Sequence, residues 1–360
     1  MPRIPRVGDV SEPRIEDIPD GPDSKALFDE LGWETGEDEE PVPPLSAAIA
    51  VPPHLPPLGR SAPAIELPSI IVDIDQELST MLDRIVAGEA EDSDETELVR
   101  QGERAMRVIM ARFPGPVNFD RTRIAAMASP PRASDCGVLM RLVARERRVA
   151  LPFVLHRLTD ADPECRGWAT HLLCELPYPE AIAPLLATLR DPDPSTRASA
   201  AHALAAISRS HGPDVRAALT RLGRGAEPAE RVGAIRAMAE LRDPALVPDL
   251  IHALGDREEN VVAAAHEALV RASCQDFGAD ARPWLRWWET HATKHRVEWL
   301  IDALTHEVSE IRRLAGEQLR AVTKEYFGYG SDLPARDRER AQQRYRDWWI
   351  TEGRARFRAS

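Results

Sequence analysis

The tripeptide Asp276-Phe277-Gly278 is the first stretch whose residues could do chemistry, because protein kinases hold a metal ion with this sequence. A kinase also needs a glycine-rich phosphate loop, a lysine on a β-strand and an HRD-type catalytic loop ahead of it, and the sequence contains none of these. The match is therefore a chance one. We expect Gly278 to supply a positive φ that ends the preceding helix at Arg271, with Phe277 folding back onto that helix.

Two histidines, His291 and His295, form a second candidate, since a spacing of four places both imidazoles on one helix face, as in many zinc sites. The glutamate of an HExxH motif is missing, and the pair falls at a predicted junction between helices, where polar residues are expected anyway. The four cysteines show no CxxC spacing. The sequence favours a solvated turn here, and it predicts no catalytic residue, no metal ion and no cofactor.

Tryptophans form a third cluster, with three of them inside five residues of a chain that is only 5% aromatic: Trp284, Trp287 and Trp288. The motif recurs 50 residues later, where Phe327-Gly328 repeats Phe277-Gly278 and a second tryptophan pair follows at 348 and 349. The region from 262 onward is therefore predicted to hold two copies of one enlarged unit: a repeat helix, a Phe-Gly turn and a helix that carries a Trp pair.

Two interpretations of the Trp pairs remain open. Packing is favoured, because duplication explains why each unit needs its own aromatic wedge. The alternative is a partner-binding platform that uses Trp287 and Trp348, since tryptophan is enriched at interface hot spots.

The elements that must position these residues come from an internal repeat. Five segments share one frame, in which a small alanine is followed four residues later by a large apolar residue; they begin at Asp160, Asp191, Gly225, Asp256 and His306. The alanines, at 169, 200, 234, 265 and 315, are 31, 34, 31 and 50 residues apart. A shorter segment with helical periodicity precedes each one. This pattern predicts stacked helix pairs and an all-α fold.

The repeat pattern D-x-D-x-x-x-R-x-x-A-x-x-x-L is clearest in Asp160–Leu173 and Asp191–Leu204, and it resembles the HEAT-like repeats of bacterial proteins related to phycobilisome lyases. The resemblance extends from about Val149 to Val322. It implies a right-handed α-solenoid with an inter-repeat polar ladder formed by Asp160, Asp191, Arg166, Arg197, Arg231 and Arg312. Three positions depart from the pattern and are expected to interrupt the ladder: Gly225, Val262 and His306.

Some proteins with similar repeats are enzymes. Deoxyhypusine hydroxylase is similar in scaffold and binds iron through His-Glu pairs just before the small alanine of several repeats. Here the corresponding pairs include Gly167-Trp168 and Ala198-Ser199, so no ligand is present. The sequence therefore predicts a protein that is not an enzyme. A chromophore-lyase-type or other cofactor-handling role is the alternative, and it would need a pocket of converging ionisable residues.

The N-terminal part differs in composition. Residues 1–68 contain 14 prolines, 14 acidic residues and five basic ones, without a sustained hydrophobic period, which predicts a disordered acidic tail. One apolar cluster with roughly helical spacing interrupts the tail and is a candidate recognition motif: Leu27, Phe28, Leu31 and Trp33. Chance, or a role in covering the solenoid, is an equally open explanation.

These boundaries divide the chain into four parts. The acidic, Pro-rich tail spans 1–68, an irregular helical cap spans 69–148, HEAT-like repeats span 149–261, and two enlarged repeat units with the FG…WW extension span 262–360.

Charge bears on the class of partner. Residues 101–360 carry a net charge of only +4, which does not favour nucleic acid, although eight arginines between 336 and 358 keep a nucleic-acid helix as an alternative. No run of about 18 apolar residues predicts a membrane span. The sequence predicts a cytoplasmic, non-enzymatic scaffold that binds a protein partner through the surface of its solenoid.

Overall fold

The computed structural model of the chain describes residues 69–127 and 129–358, and throughout these ranges the regular secondary structure is helical. An isolated bridge between Val117 and Gly137 is the exception. The predicted tail of residues 1–68, including the apolar cluster from Leu27 to Trp33, lies outside the described residues. The all-α prediction is confirmed.

The N-terminal part of the described chain holds four helices: α1 (Ser69–Ala87), α2 (Asp92–Arg100), α3 (Glu103–Ala111) and α4 (Val138–Arg145). Between α3 and α4 the Pro- and Gly-rich segment makes a 3-10 helix at Arg121–Ala126. Leu82, Leu98 and Met106 are fully buried and join the same apolar core as the repeats that follow. Burial of this apolar surface therefore anchors the N-terminal helices to the repeats.

The repeats are helix pairs, as the alanine periodicity predicts. The helices are α5 (Arg147–Arg157), α6 (Pro163–Leu172), α7 (Ile182–Thr188), α8 (Pro194–Gly223), α9 (Pro228–Leu241), α10 (Val247–Ala253) and α11 (Glu259–Ser273). The residues of the preceding loop determine where α6 and α8, the second helices of their pairs, begin. The side chain of Asp162 accepts from the Glu164 amide at 3.0 Å and that of Asp193 from the Thr196 amide at 2.9 Å, with a proline as the first helical residue in both.

Helix α8 joins two repeats without a loop. Its first part is the second helix of one pair and its last part is the first helix of the next. The two parts meet at His211, whose φ of −127° and ψ of 40° are not helical. Pro213 lies two residues further on, and its ring is incompatible with an unbroken helix at this point.

The C-terminal units add an extra helix to each repeat. They contain α12 (Ala281–His291), α13 (Arg296–Ala303), α14 (Ser309–Thr323), α15 (Ala335–Trp348) and α16 (Arg354–Arg358), with one π-helical turn at Trp349–Gly353. The described chain is thus an α-solenoid of stacked helix pairs. Along residues 69–127 and 129–358, every helix is too short or too polar to cross a membrane.

Candidate functional site

The ladder residues lie at the loops between paired helices. Arg166 donates from Nε to the carboxylate of Asp191 at 2.8 Å and from Nη1 to the carbonyl oxygen of Asp160 at 2.9 Å. The guanidinium of Arg166 therefore contacts both the loop of its own repeat and the loop of the next repeat. The carboxylate of Asp160 instead accepts from Arg157 of the preceding helix at 2.6 Å.

A second rung joins Arg231 to Asp256, with donor–acceptor distances of 2.7 and 2.9 Å. The hydrogen bond from Arg231 is the main cause that lowers the pKa of Asp256. Asp256 was not singled out in the sequence, although it leads its repeat segment and follows Arg231 by the 25 residues that separate Arg166 from Asp191. The ladder is not continuous, because Arg197 and Arg312 donate only to carbonyl oxygens in the hydrogen bonds of the described chain.

This difference between rungs predicts unequal costs of substitution. Arg231→Ala is expected to lower the free energy of unfolding by about 1–2 kcal/mol more than Arg197→Ala, because it removes a charge-assisted pair as well as contacts with carbonyl oxygens. Urea unfolding of the two variants measures the difference. Equal losses would show that the carboxylate rung contributes nothing beyond the loop contacts.

A residue that sequence reasoning missed ties the 3-10 helix to the repeats. The buried guanidinium of Arg121 donates to Glu164 at 2.9 Å, to Thr196 at 3.3 Å, and to the carboxylate of Asp193. Burial alone would raise the pKa of Asp193, but the hydrogen bonds from Thr196 and Arg121 hold it at about 2. Arg121 is 43 and 72 residues distant from its carboxylate partners, so no local pattern could identify it.

The two enlarged units repeat one aromatic geometry. The ring centroids of Phe277 and Trp284 are 4.9 Å apart at an interplanar angle of 75°, and those of Phe327 and Tyr345 are 4.7 Å apart at 85°. Both are edge-to-face pairs, the favoured arrangement of aromatic rings. Tyr345 occupies in the second unit the position that Trp284 holds in the first.

The turn before each Trp helix is also duplicated, and here one expectation was wrong. Helix α11 ends at Ser273 rather than at Arg271, and the left-handed residue that caps it is Cys274, with φ of 53°. Lys324 caps α14 in the same way, with φ of 63°. Gly278 does adopt a positive φ, of 72°, but it lies within the following turn, where its amide donates to Asp276 at 2.9 Å.

The Trp pairs lie mostly inside the protein. Trp348 is only 7% exposed and contacts Phe327 and Trp349. Trp287 is half-buried, and its ring is stacked on that of His291 with centroids 4.8 Å apart. These positions favour the packing interpretation, since a partner could reach Trp348 only if the unit opened.

The histidine pair does not converge on a metal site. His291 contacts the Trp287 carbonyl oxygen through Nδ1 at 2.7 Å, whereas His295 accepts from the Val297 amide at 3.2 Å and lies beside Trp349. Along the described parts of the chain, no group of three or more His, Cys, Asp or Glu residues is placed to hold a metal ion. Burial is the largest cause that raises the pKa of the thiols of Cys165 and Cys274 to about 11. They are therefore protonated at neutral pH.

The arginine-rich end of the chain is largely engaged by the protein itself. Arg346 pairs with Asp302 at 3.0 Å, Arg354 with Glu298 at 3.2 Å and Arg356 with Glu325 at 3.1 Å. Nucleic-acid phosphates would have to compete with these pairs and with water, so this surface provides no specific support for the nucleic-acid alternative.

The candidate site is a groove of about 560 Å³. It runs along the second helices of three consecutive pairs, which are α6, the first part of α8 and α9. The segment Ser129–Ala133 forms one wall with Ala144 and Arg147, and the repeats contribute the others: His171, Cys174, Glu175, Pro177, His202, Ala205, Ala206, Arg209, Glu240 and Arg242. We call it the second-helix groove. Its members recur with the repeat: His171 and His202 are 31 residues apart, and Glu240 follows Ala206 by 34. This register could have indicated the groove from the sequence.

Positive charge dominates the second-helix groove. Arg147, Arg209 and Arg242 form no ion pair or side-chain hydrogen bond with any residue of the described ranges. The two carboxylates are already engaged: Glu175 accepts from the Ser134 amide and hydroxyl at 2.9 and 2.7 Å, and Glu240 accepts from Arg271 at 2.5 Å.

The histidines of the groove add no charge at neutral pH. Burial is the main cause that lowers the pKa of both His171 and His202. His171 also donates from Nε2 to the Pro131 carbonyl oxygen at 2.8 Å, which fixes its ring against the wall. The groove thus presents three free guanidinium groups above a floor of small residues.

Backbone strain occurs at two of these arginines. Arg147 has φ of 39° and Arg242 has φ of 51°, in the region that residues with a Cβ rarely adopt. At Arg242 this conformation is the left-handed C-cap of α9, as it is at Cys274 for α11 and at Lys324 for α14.

Comparison with protein families supports the helical repeats. The sequence profile of HEAT repeats matches residues 151–226. The match covers the helix pairs from α5 to α8 and agrees with their stacking. No curated protein matches the sequence.

Two solved structures with some likeness are an engineered and a designed protein. An engineered protein from a structural-genomics consortium has 20% sequence identity, a TM-score of 0.28, and coverage of 64% of this chain and 97% of its own. A designed armadillo repeat protein has 17% identity, a TM-score of 0.26, and coverage of 63% and 99%.

Proposed function

We propose that this HEAT-like repeat protein is a non-enzymatic scaffold that binds an extended, acidic segment of a protein partner in the second-helix groove. One observation carries the proposal: three arginines without ion-pair partners in the described chain line a groove whose own carboxylates are engaged. An acidic segment would supply the missing carboxylates.

The shape of the groove suits an extended chain. The groove runs across three repeats. Ala205 and Ala206 have small side chains, so the backbone of a bound segment can approach this part of the groove closely. Charge complementarity would then select acidic segments and speed their association, with a strong dependence on salt. The cytoplasmic location belongs to the same proposal and rests on the sequence alone.

A binding experiment with a matched control tests this function. The probe is a short fluorescein-labelled peptide of alternating Glu and Ser, with a Lys and Ser peptide as its counterpart, and fluorescence anisotropy of the full chain gives the affinity. Arg209→Glu is expected to weaken binding of the acidic peptide by about tenfold or more, because it reverses a charge in the groove.

The control is Arg104→Glu, the same charge change at an exposed position of α3 outside the groove. It is expected to leave the affinity within about twofold, since exposed charges at a distance are screened. Equal losses of affinity in both variants would mean that the peptide responds only to the net charge of the protein. Absence of binding to the wild-type chain at low salt would also overturn the proposal.

A further inference from the structure

A second cavity, of about 560 Å³, lies beside Arg242 at the start of α13. It has a cationic wall formed by Arg242, Lys294 and Arg296, and an apolar wall formed by Pro244, Val297 and Phe357. No aspartate or glutamate lines it. A cavity of this size is typical of small-molecule sites, which combine apolar walls with a few placed polar groups.

Arg296 is a cation whose partners are neutral. Its Nε donates to the Ala272 carbonyl oxygen at 2.9 Å and its Nη2 donates to the side chain of Gln318. Burial is the main cause that lowers its pKa, to about 10, so the group still carries its charge at neutral pH. A buried charge without a counter-charge is costly, and proteins keep one where a ligand or a partner supplies the opposite sign.

Arg242 adds a second charge. Its Nε is buried and has no hydrogen-bond partner in the described ranges, and its guanidinium forms no ion pair there. Arg242 is the left-handed C-cap of α9, a position at which glycine is the usual residue. Arg242 lies near enough to Arg296 for its charge to contribute to the lowered pKa of Arg296.

The carboxylates nearest in sequence to the cationic residues of the cavity form ion pairs with other arginines. Asp243 accepts from Arg216 at 2.8 Å, and Glu298 pairs with Arg354 at 3.2 Å. Asp302 pairs with Arg346 at 3.0 Å and is 3.8 Å from Lys294, which is the one cation of the cavity with a partial partner in the described chain. The protein therefore leaves two guanidinium groups of this cavity without internal neutralisation.

We propose that the cavity binds a small organic phosphate, with the phosphate oxygens between Arg242 and Arg296 and the organic part against Phe357 and Val297. Guanidinium groups match phosphate oxygens in geometry and charge. Thr293, next to Lys294 in the chain, also lines the cavity. The organic-phosphate site does not rest on the acidic-segment function, although the two cavities share Arg242.

Calorimetric titration of the full chain with phenyl phosphate tests the site, since this probe joins one phosphate to one apolar ring. The wild-type chain is expected to bind phenyl phosphate more tightly than inorganic phosphate. Arg242→Met and Arg296→Gln are each expected to weaken binding by about tenfold or more, the loss of one charge-assisted contact with phosphate. Arg242→Met is expected to disturb folding less than Arg296→Gln, because the Arg242 side chain makes no hydrogen bond within the described chain.

Arg209→Glu serves as the control and separates the two proposals. It alters the second-helix groove alone, so it should weaken acidic-peptide binding by about tenfold or more and leave phenyl phosphate binding unchanged, whereas Arg296→Gln should do the reverse. No binding of phenyl phosphate at millimolar concentration, the same affinity for inorganic phosphate and phenyl phosphate, or equal losses in all three variants would overturn the organic-phosphate site.

Discussion

Replacement of Trp284 by alanine is expected to lower the free energy of unfolding by about 3–5 kcal/mol, the range for a large aromatic side chain removed from a packed core. Trp284 is fully buried, its ring meets Phe277 edge to face at 4.9 Å, and its Nε1 donates to the Gly278 carbonyl oxygen at 2.8 Å. The variant loses the apolar contacts and leaves that carbonyl oxygen without its donor. Urea unfolding followed by circular dichroism measures the change.

Leu285→Ala is the control for Trp284→Ala. Leu285 is the next residue on α12 and is 49% exposed, so its truncation should change stability by less than about 0.5 kcal/mol. If both variants unfolded at the same urea concentration as the wild-type chain, Trp284 would not be part of the core that joins the enlarged unit to the preceding repeats.

Replacement of Arg121 by methionine is expected to destabilise the protein by about 2–4 kcal/mol, because a part-buried carboxylate loses its cation. Arg121 joins the 3-10 helix to the first turns of α6 and α8 through Glu164 and Asp193. Methionine keeps much of the volume, so the loss reports the charge. Thermal and urea unfolding at several pH values measure it.

The pH dependence of this effect has a definite sign. Asp193 has a pKa of about 2 in the folded protein against an ordinary value of 3.8, so it contributes stability that is complete above about pH 4 and is lost as pH falls toward 2. The gap between the wild-type chain and Arg121→Met should therefore narrow over that interval. A gap that stayed constant down to pH 2 would contradict the role given to the Arg121–Asp193 pair.

Gly167 offers an independent check on Arg121. A Cβ at Gly167 would collide with the guanidinium of Arg121. Gly167→Ala should therefore destabilise the wild-type chain by about 1–3 kcal/mol and cost much less when Arg121 is already methionine. Additive effects would show that the two groups do not share this space.

The helix pairs could be predicted from the sequence because their contacts are local. The five small alanines are fully buried, each at the same position of its own segment. The Asp-Pro steps at Asp162 and Asp193 cap their helices through atoms within three residues. The end of α11 was placed two residues early because Cys274 adopts the left-handed cap that glycine usually provides.

The candidate sites were harder to predict for a physical reason. Arg121 reaches its partners across 43 and 72 residues from a Pro- and Gly-rich segment without hydrophobic periodicity. The charges of the second-helix groove depend on which carboxylates are already paired, as Glu240 is with Arg271, and such pairing is a tertiary property. The Trp pairs were the more conspicuous signal in the sequence, yet the fold buries Trp348.

Site-specific photo-crosslinking in cells that make the protein tests the central claim most directly. A benzophenone amino acid replaces Ala205, on the floor of the second-helix groove, or Leu285, on the exposed face of α12, and mass spectrometry identifies any captured peptide. The proposed function predicts that position 205 captures an acidic segment of one protein, and that Arg209→Glu abolishes this capture. Capture from position 285 alone, or capture from 205 that survives Arg209→Glu, would contradict the acidic-segment scaffold.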